Sequence, residues 1–141
     1  QHTLIGGNTL AAAAKAHPEA KFLSIAQDVA FTHHERFDGM GYPFGLAGSQ
    51  IPLCGRITAI ADVYDALTSK RIYKPAYTHE TSREIILEGR GTQFDPFLVD
   101  TFLNCEEQFI HIQEKFQEWQ DTPGCHEFSS SPETPQALLK N

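Results

Sequence analysis

The apolar residues Phe22, Ile25, Ala26, Val29 and Ala30 fall at helical spacing, and His33 takes the next place on the same stripe. That period predicts an amphipathic helix from about Pro18 to His33, with one face turned to a core. The stripe runs into a doublet, His33-His34, followed by Glu35 and a glycine-rich stretch. Neighbouring residues on a helix point about 100° apart, so a doublet makes sense where a helix ends against a site and both rings can turn inward. Neutral imidazole is the commonest metal ligand; the plain alternative is a solvated pair ahead of a loop. The loop from Phe37 to Ser49 carries glycines at 39, 41, 45 and 48 and a proline at 43. Loops of that length in a compact domain are commonly functional, which favours the ligand reading.

A second helix is expected from Leu53 to Lys70, with Ile57, Ile60, Ala61, Tyr64 and Leu67 as its apolar stripe. Thr58, Asp62, Asp65 and Ser69 share another face, so two carboxylates three apart sit side by side. Solvated acids would give the same pattern. Asp62, however, lies between Ala61 and Val63, where an unpaired charge is expected to be costly and a metal ion would remove the cost. Arg71 and Lys74 follow on a turn beside Tyr73. A planar guanidinium and a point-charge ammonium suit phosphate oxygens.

At the start of the chain, Thr3 or Asn8 is expected to cap a helix running to about Ala16, which His17-Pro18 breaks. Further on, Thr78 or Thr81 caps a helix from Glu80 to Glu88, and Gly89-Arg90-Gly91 ends it. Phe94-Asp95-Pro96 then opens a helix from Phe97 to about Trp119, with a break near Asn104-Cys105. Its candidate core residues are Phe97, Leu98, Phe102, Phe109, Ile110 and Phe116. No stretch alternates as a strand would, so the fold class is all-α. Residues 1–120 read as one domain, and the Ser-, Pro-, Thr- and Glu-rich stretch 121–141 as a disordered tail.

The net charge of -7 argues against broad nucleic-acid binding, which needs a basic surface, and leaves a nuclease a distant reading. No run of 18 apolar residues and no charged-then-apolar leader occurs, so no membrane span and a cytoplasmic setting are expected. Three cysteines, Cys54, Cys105 and Cys125, form no C-x-x-C pair and read as reduced thiols.

Several motifs resemble one family. They are His33-His34-Glu35, Asp38-Gly39-x-Gly41-Tyr42-Pro43, Gly45-Leu46-x-Gly48-x-x-Ile51-Pro52, Arg56-Ile57, Asp62-Val63-x-Asp65-Ala66-Leu67-Thr68-Ser69, Arg71-x-Tyr73-Lys74 and Phe94-Asp95-Pro96. Together, from His2 to about Phe102, they resemble the HD-GYP domains, all-helical HD phosphohydrolases that cleave cyclic di-GMP. The resemblance implies an HD-domain-like helical bundle holding two or three metal ions, most often iron or manganese. It implies His2, His33, His34 and Asp62 as metal ligands, and Arg71 and Lys74 as holders of the substrate phosphates. Gly41-Tyr42-Pro43 would shape the mouth of the site, with Tyr42 on the substrate, and offer a contact to a diguanylate cyclase domain. Asp65, one turn beyond Asp62, would orient a ligand or relay a proton to the leaving oxygen.

The family's His-Asp pair is absent: no His-Asp dipeptide occurs in this chain, and its place would precede Gln1. Ile72 stands where proline is usual. An N-terminally incomplete domain is therefore expected, inactive alone and prone to self-association, as in a homodimer. Two function classes follow for bacterial signal transduction. One is a metal-dependent phosphodiesterase releasing a linear dinucleotide or GMP, regulated by an upstream receiver or sensor domain as in a response regulator. The other is a non-catalytic ligand-binding module with an incomplete metal site.

Overall fold

The structure, a computed structural model, describes residues 1–70 and 75–120. It contains α1 (His2–Ala16), α2 (Phe22–Thr32), α3 (Leu53–Thr68), α4 (His79–Glu88), α5 (Pro96–Asn104) and α6 (Glu106–Gln120), with a 3-10 turn at Gly48–Gln50. Only isolated bridges, Asp38 with Ala47 and Arg90 with Phe94, interrupt the helical pattern among the described residues. The all-α expectation holds. The expected phosphate-holding pair Arg71 and Lys74, and the expected tail 121–141, lie outside the described residues.

Local chemistry sets most helix ends. Thr78 caps α4, its hydroxyl accepting from the Thr81 N–H at 3.3 Å. Asp95 caps α5 by accepting from the Phe97 N–H at 2.9 Å, and Pro96 opens the helix with its fixed φ. The break near Cys105 is present, separating α5 from α6. Two ends differ from expectation. Neither Thr3 nor Asn8 caps α1: Gln1 is the N-cap, its carbonyl accepting from the Ile5 N–H at 3.1 Å. Thr3 is instead buried inside the helix, so packing outweighs its capping preference. The second helix begins at Phe22 rather than Pro18, because Ala20 and Lys21 close turns onto His17 and Glu19.

Helix α1 packs on α2, α2 on α3, and α3 on α4 and α5. Two glycines permit the first two crossings. A Cβ on Gly7 would strike the Phe31 ring, and one on Gly55 would strike the Thr32 side chain. The main core gathers Ile60, Val63, Tyr64 and Leu67 of α3 with Ile86, Phe94, Val99 and Phe102. Phe102 and Phe109 pack edge-to-face at 4.9 Å between ring centroids, and Tyr64 and Phe109 at 5.2 Å. Arg56 on α3 pairs with the Asp95 cap at 2.5 Å, joining the start of α5 to the central helix.

The buried face of α3 is rotated from the expected stripe. Ala59, Ile60, Val63, Tyr64, Ala66 and Leu67 are buried, whereas Ile57 and Ala61 are exposed. Asp62 is exposed as well, so the argument from a costly buried charge does not apply to it. Phe22, Ile25, Phe97 and Phe116, expected in the core, are also exposed.

Candidate metal centre

Helix α2 ends at His33, and its geometry fixes which ring nitrogen faces outward. His33 Nδ1 lies 2.8 Å from the Val29 carbonyl. A carbonyl only accepts, so Nδ1 carries the proton and the Nε2 lone pair is left for a ligand. His34 turns to the start of α1, where its Nε2 meets His2 Nε2 at 3.0 Å. The three rings crowd together: centroids lie 4.2 Å apart for His33–His34, 5.0 Å for His2–His34 and 5.7 Å for His2–His33. One potential ligand atom from each falls within 4.8 Å of the others.

This donor set fits a divalent ion. Two imidazole nitrogens each about 2.1 Å from one ion are themselves about 3.0–3.4 Å apart, and His34 and His2 already stand at 3.0 Å. The cluster also favours a neutral His34 ring. Removal from water, then repulsion by His33 and His2, lowers the His34 pKa from its ordinary value to about 4. At neutral pH its lone pair is therefore available.

The loop after the doublet is built against these rings. Glu35 is buried, and its two carboxylate oxygens accept from the N–H groups of Phe44 at 2.7 Å and Leu46 at 3.0 Å. Tyr42 donates its backbone N–H to the His34 carbonyl at 3.2 Å, and its ring stacks on the His34 ring at 5.0 Å and 25°. The Tyr42–Pro43 peptide is cis. Gly41 is sterically required, since a Cβ there would enter the Glu35–Arg36 backbone. Arg36 forks onto Asp38 at 3.1 and 2.7 Å, and Asp38 also accepts from the Met40 N–H. The Asp38 carboxyl is thereby held below the usual carboxylate range.

The expected site residues separate into groups. His2, His33, His34 and Tyr42 come together. Asp62 lies on the exposed side of α3 and is not part of the three-histidine group within 4.8 Å. Asp65 accepts from the Ser69 hydroxyl at 3.1 Å and borders a cavity of about 390 Å³ between α3 and α6, with Tyr64, Thr68 and Phe109. Sequence reasoning passed over two buried polar arrangements. Glu35 was readable only as part of a motif, although an acid placed between a ligand pair and a glycine-rich loop was its signal. The contact of the Tyr64 hydroxyl with His79 Nδ1 at 3.0 Å had no sequence signal.

The sequence model of the HD domain matches residues 8–98. The chain belongs to the HD-domain family. With the Gly41-Tyr42-Pro43 loop folded onto the histidines, this HD domain is of the HD-GYP type. HD domains are metal-dependent phosphohydrolases, which implies a divalent ion. A cyclic di-GMP phosphodiesterase of Vibrio cholerae is 49% identical over 118 residues, covering 84% of this chain and 24% of that protein. A 3′3′-cGAMP-specific phosphodiesterase of the same organism is 47% identical over 93 residues, covering 66% of this chain and 18% of that protein. A cyclic di-GMP phosphodiesterase response regulator of Xanthomonas campestris is 43% identical over 104 residues, covering 74% and 28%. The chain thus spans only 18–28% of the length of these curated relatives. No described helix is long and apolar enough to cross a membrane.

Proposed function

We propose that the protein carrying this HD domain is a metal-dependent phosphodiesterase of cyclic di-GMP, releasing the linear dinucleotide or GMP in bacterial second-messenger signalling. The convergence of His2, His33 and His34 carries the reading. Three imidazoles around one point are a sound donor set for iron or manganese. The 49% identity to a cyclic di-GMP phosphodiesterase supports the substrate class.

His2, His33 and His34 hold the metal in this scheme, and Asp62 completes the set from α3. Divalent ions held there would supply an activated water and a clamp on the phosphodiester. Arg71 and Lys74 hold the non-bridging phosphate oxygens and balance the charge that builds there in the transition state. Tyr42 walls the mouth of the site beside His34. Asp65 orients a ligand, or takes the proton of the attacking water and relays it to the leaving 3′ oxygen. An upstream receiver domain would control the activity; the response-regulator relative supports that organisation. Gly41-Tyr42-Pro43 offers its exposed edge to a diguanylate cyclase domain.

The test is turnover of cyclic di-GMP by the manganese-loaded full-length protein, followed by nucleotide chromatography. The linear dinucleotide or GMP should accumulate, and His33→Ala or Asp62→Asn should abolish it. A second reading, a non-catalytic cyclic-dinucleotide-binding module, draws on the place of Asp62 outside the three-histidine group. Tight binding of intact cyclic di-GMP without cleavage by the metal-loaded protein would favour it.

A further inference from the structure

Glu35 is the most deeply buried acid of the described residues, 3% exposed, yet no cation is paired with it among the contacts around the histidines. Its partners are two backbone N–H groups, Phe44 and Leu46, on the far side of the Gly41-Tyr42-Pro43 corner. A carboxylate is the one side chain that accepts at both of its ends. Burying a charge here is costly unless both oxygens are satisfied, so the loop is held to the one shape that satisfies them. That shape returns the chain past the doublet, with Tyr42 N–H on the His34 carbonyl and the Tyr42 ring flat on the His34 imidazole.

His33 has its own orienting bond, from Nδ1 to the Val29 carbonyl, within α2. The ring contacts of His34 are its neighbours His2 and His33 and the stacked Tyr42. We propose that Glu35 is a positioning residue for the metal centre: it clamps the loop that presses Tyr42 against His34, and so fixes the direction in which His34 Nε2 presents its lone pair. Glu35 touches no ion itself. This inference rests on the reading of the three histidines as ligands, and it assigns orientation of His34 to Glu35 acting through the loop that carries Tyr42.

The experiment compares Mn²⁺ affinity by calorimetry with amide hydrogen exchange in the metal-free protein. Glu35→Gln replaces one accepting oxygen with an NH₂ group facing an N–H, which breaks one of the two clamps. Exchange at Phe44 and Leu46 should rise at least tenfold, and Mn²⁺ affinity should fall by about 10–100-fold, as for other groups that orient ligands. Tyr42→Leu should lose a similar factor, Tyr42→Phe should keep the affinity of the parent chain, and Glu35→Gln with Tyr42→Leu should be no worse than either alone. A merely structural Glu35 would give additive losses and no rescue by phenylalanine. If the parent chain binds Mn²⁺ and Glu35→Gln binds it within twofold, the inference is overturned while the histidine reading stands. If the parent chain binds no Mn²⁺, the histidine reading fails. In that event unchanged exchange at Phe44 and Leu46 in Glu35→Gln would overturn the clamp as well. Should Glu35→Gln not fold, the Tyr42 pair carries the same decision, since its ring is partly exposed.

Discussion

Arg56 Nη1 stands 2.5 Å from Asp95 Oδ2, and the same carboxylate caps α5 through the Phe97 N–H. Arg56 is tied further by its Nε donating to the Ile51 carbonyl at 2.9 Å. One carboxylate therefore joins the central helix to the helix that closes the core. Asp95→Ala leaves a largely buried guanidinium unpaired and removes a cap. The expected loss is about 3 kcal/mol of unfolding free energy, measured by denaturant titration with an unchanged slope. A loss below about 1 kcal/mol would show that solvent already screens the pair.

Gly55 on α3 touches the Thr32 side chain, one residue before the histidine doublet. Gly55→Ala is expected to push α2 off α3 and cost about 1–3 kcal/mol despite the better helix propensity of alanine. Because α2 carries His33, Mn²⁺ affinity should fall with it. Thr32→Gly in the same chain opens the space and should recover part of both. Thermal melts and calorimetry on the two variants check this.

Ile86 is wholly buried at the centre of the core, against α3. Ile86→Ala should cost about 2–5 kcal/mol. His2 on α1 and His33 and His34 after α2 lie outside this core cluster, so any protein that remains folded should bind Mn²⁺ as the parent does.

Arg36 holds the Asp38 carboxyl below its ordinary range, and the Met40 N–H adds to the effect. A carboxyl lowered on folding stabilises the native state above its unfolded pKa of about 3.9, and that contribution is lost as pH falls through the native value. Acid unfolding followed by circular dichroism should therefore be shallower below about pH 4 in Asp38→Asn than in the parent. An identical acid limb in both proteins would contradict the assignment.

Helix starts were legible where their chemistry is local. Thr78, Asp95 with Pro96, and the break at Cys105 act within a turn, and the sequence shows them directly. Burial was less legible. Spacing tells which residues share a face, but Phe22, Ile25, Ile57 and Phe97 show that it does not tell which face finds a neighbour. The histidine centre was legible for a different reason. His33 and His34 are adjacent in sequence, whereas His2 reaches them only because Gly7 lets α1 settle onto Phe31. That crossing is a tertiary event, and only the family resemblance pointed to it. Glu35 lay in plain view inside the motif, but its role depends on where the chain returns nine and eleven residues later.

The most direct test is X-ray absorption at the manganese edge of the Mn²⁺-loaded chain. Three imidazoles as ligands predict a first shell containing about three nitrogens near 2.1–2.2 Å, with the outer-shell scattering of imidazole rings. His34→Ala should remove about one of them. A first shell made only of oxygen, unchanged when His2, His33 or His34 is replaced, would contradict the central claim.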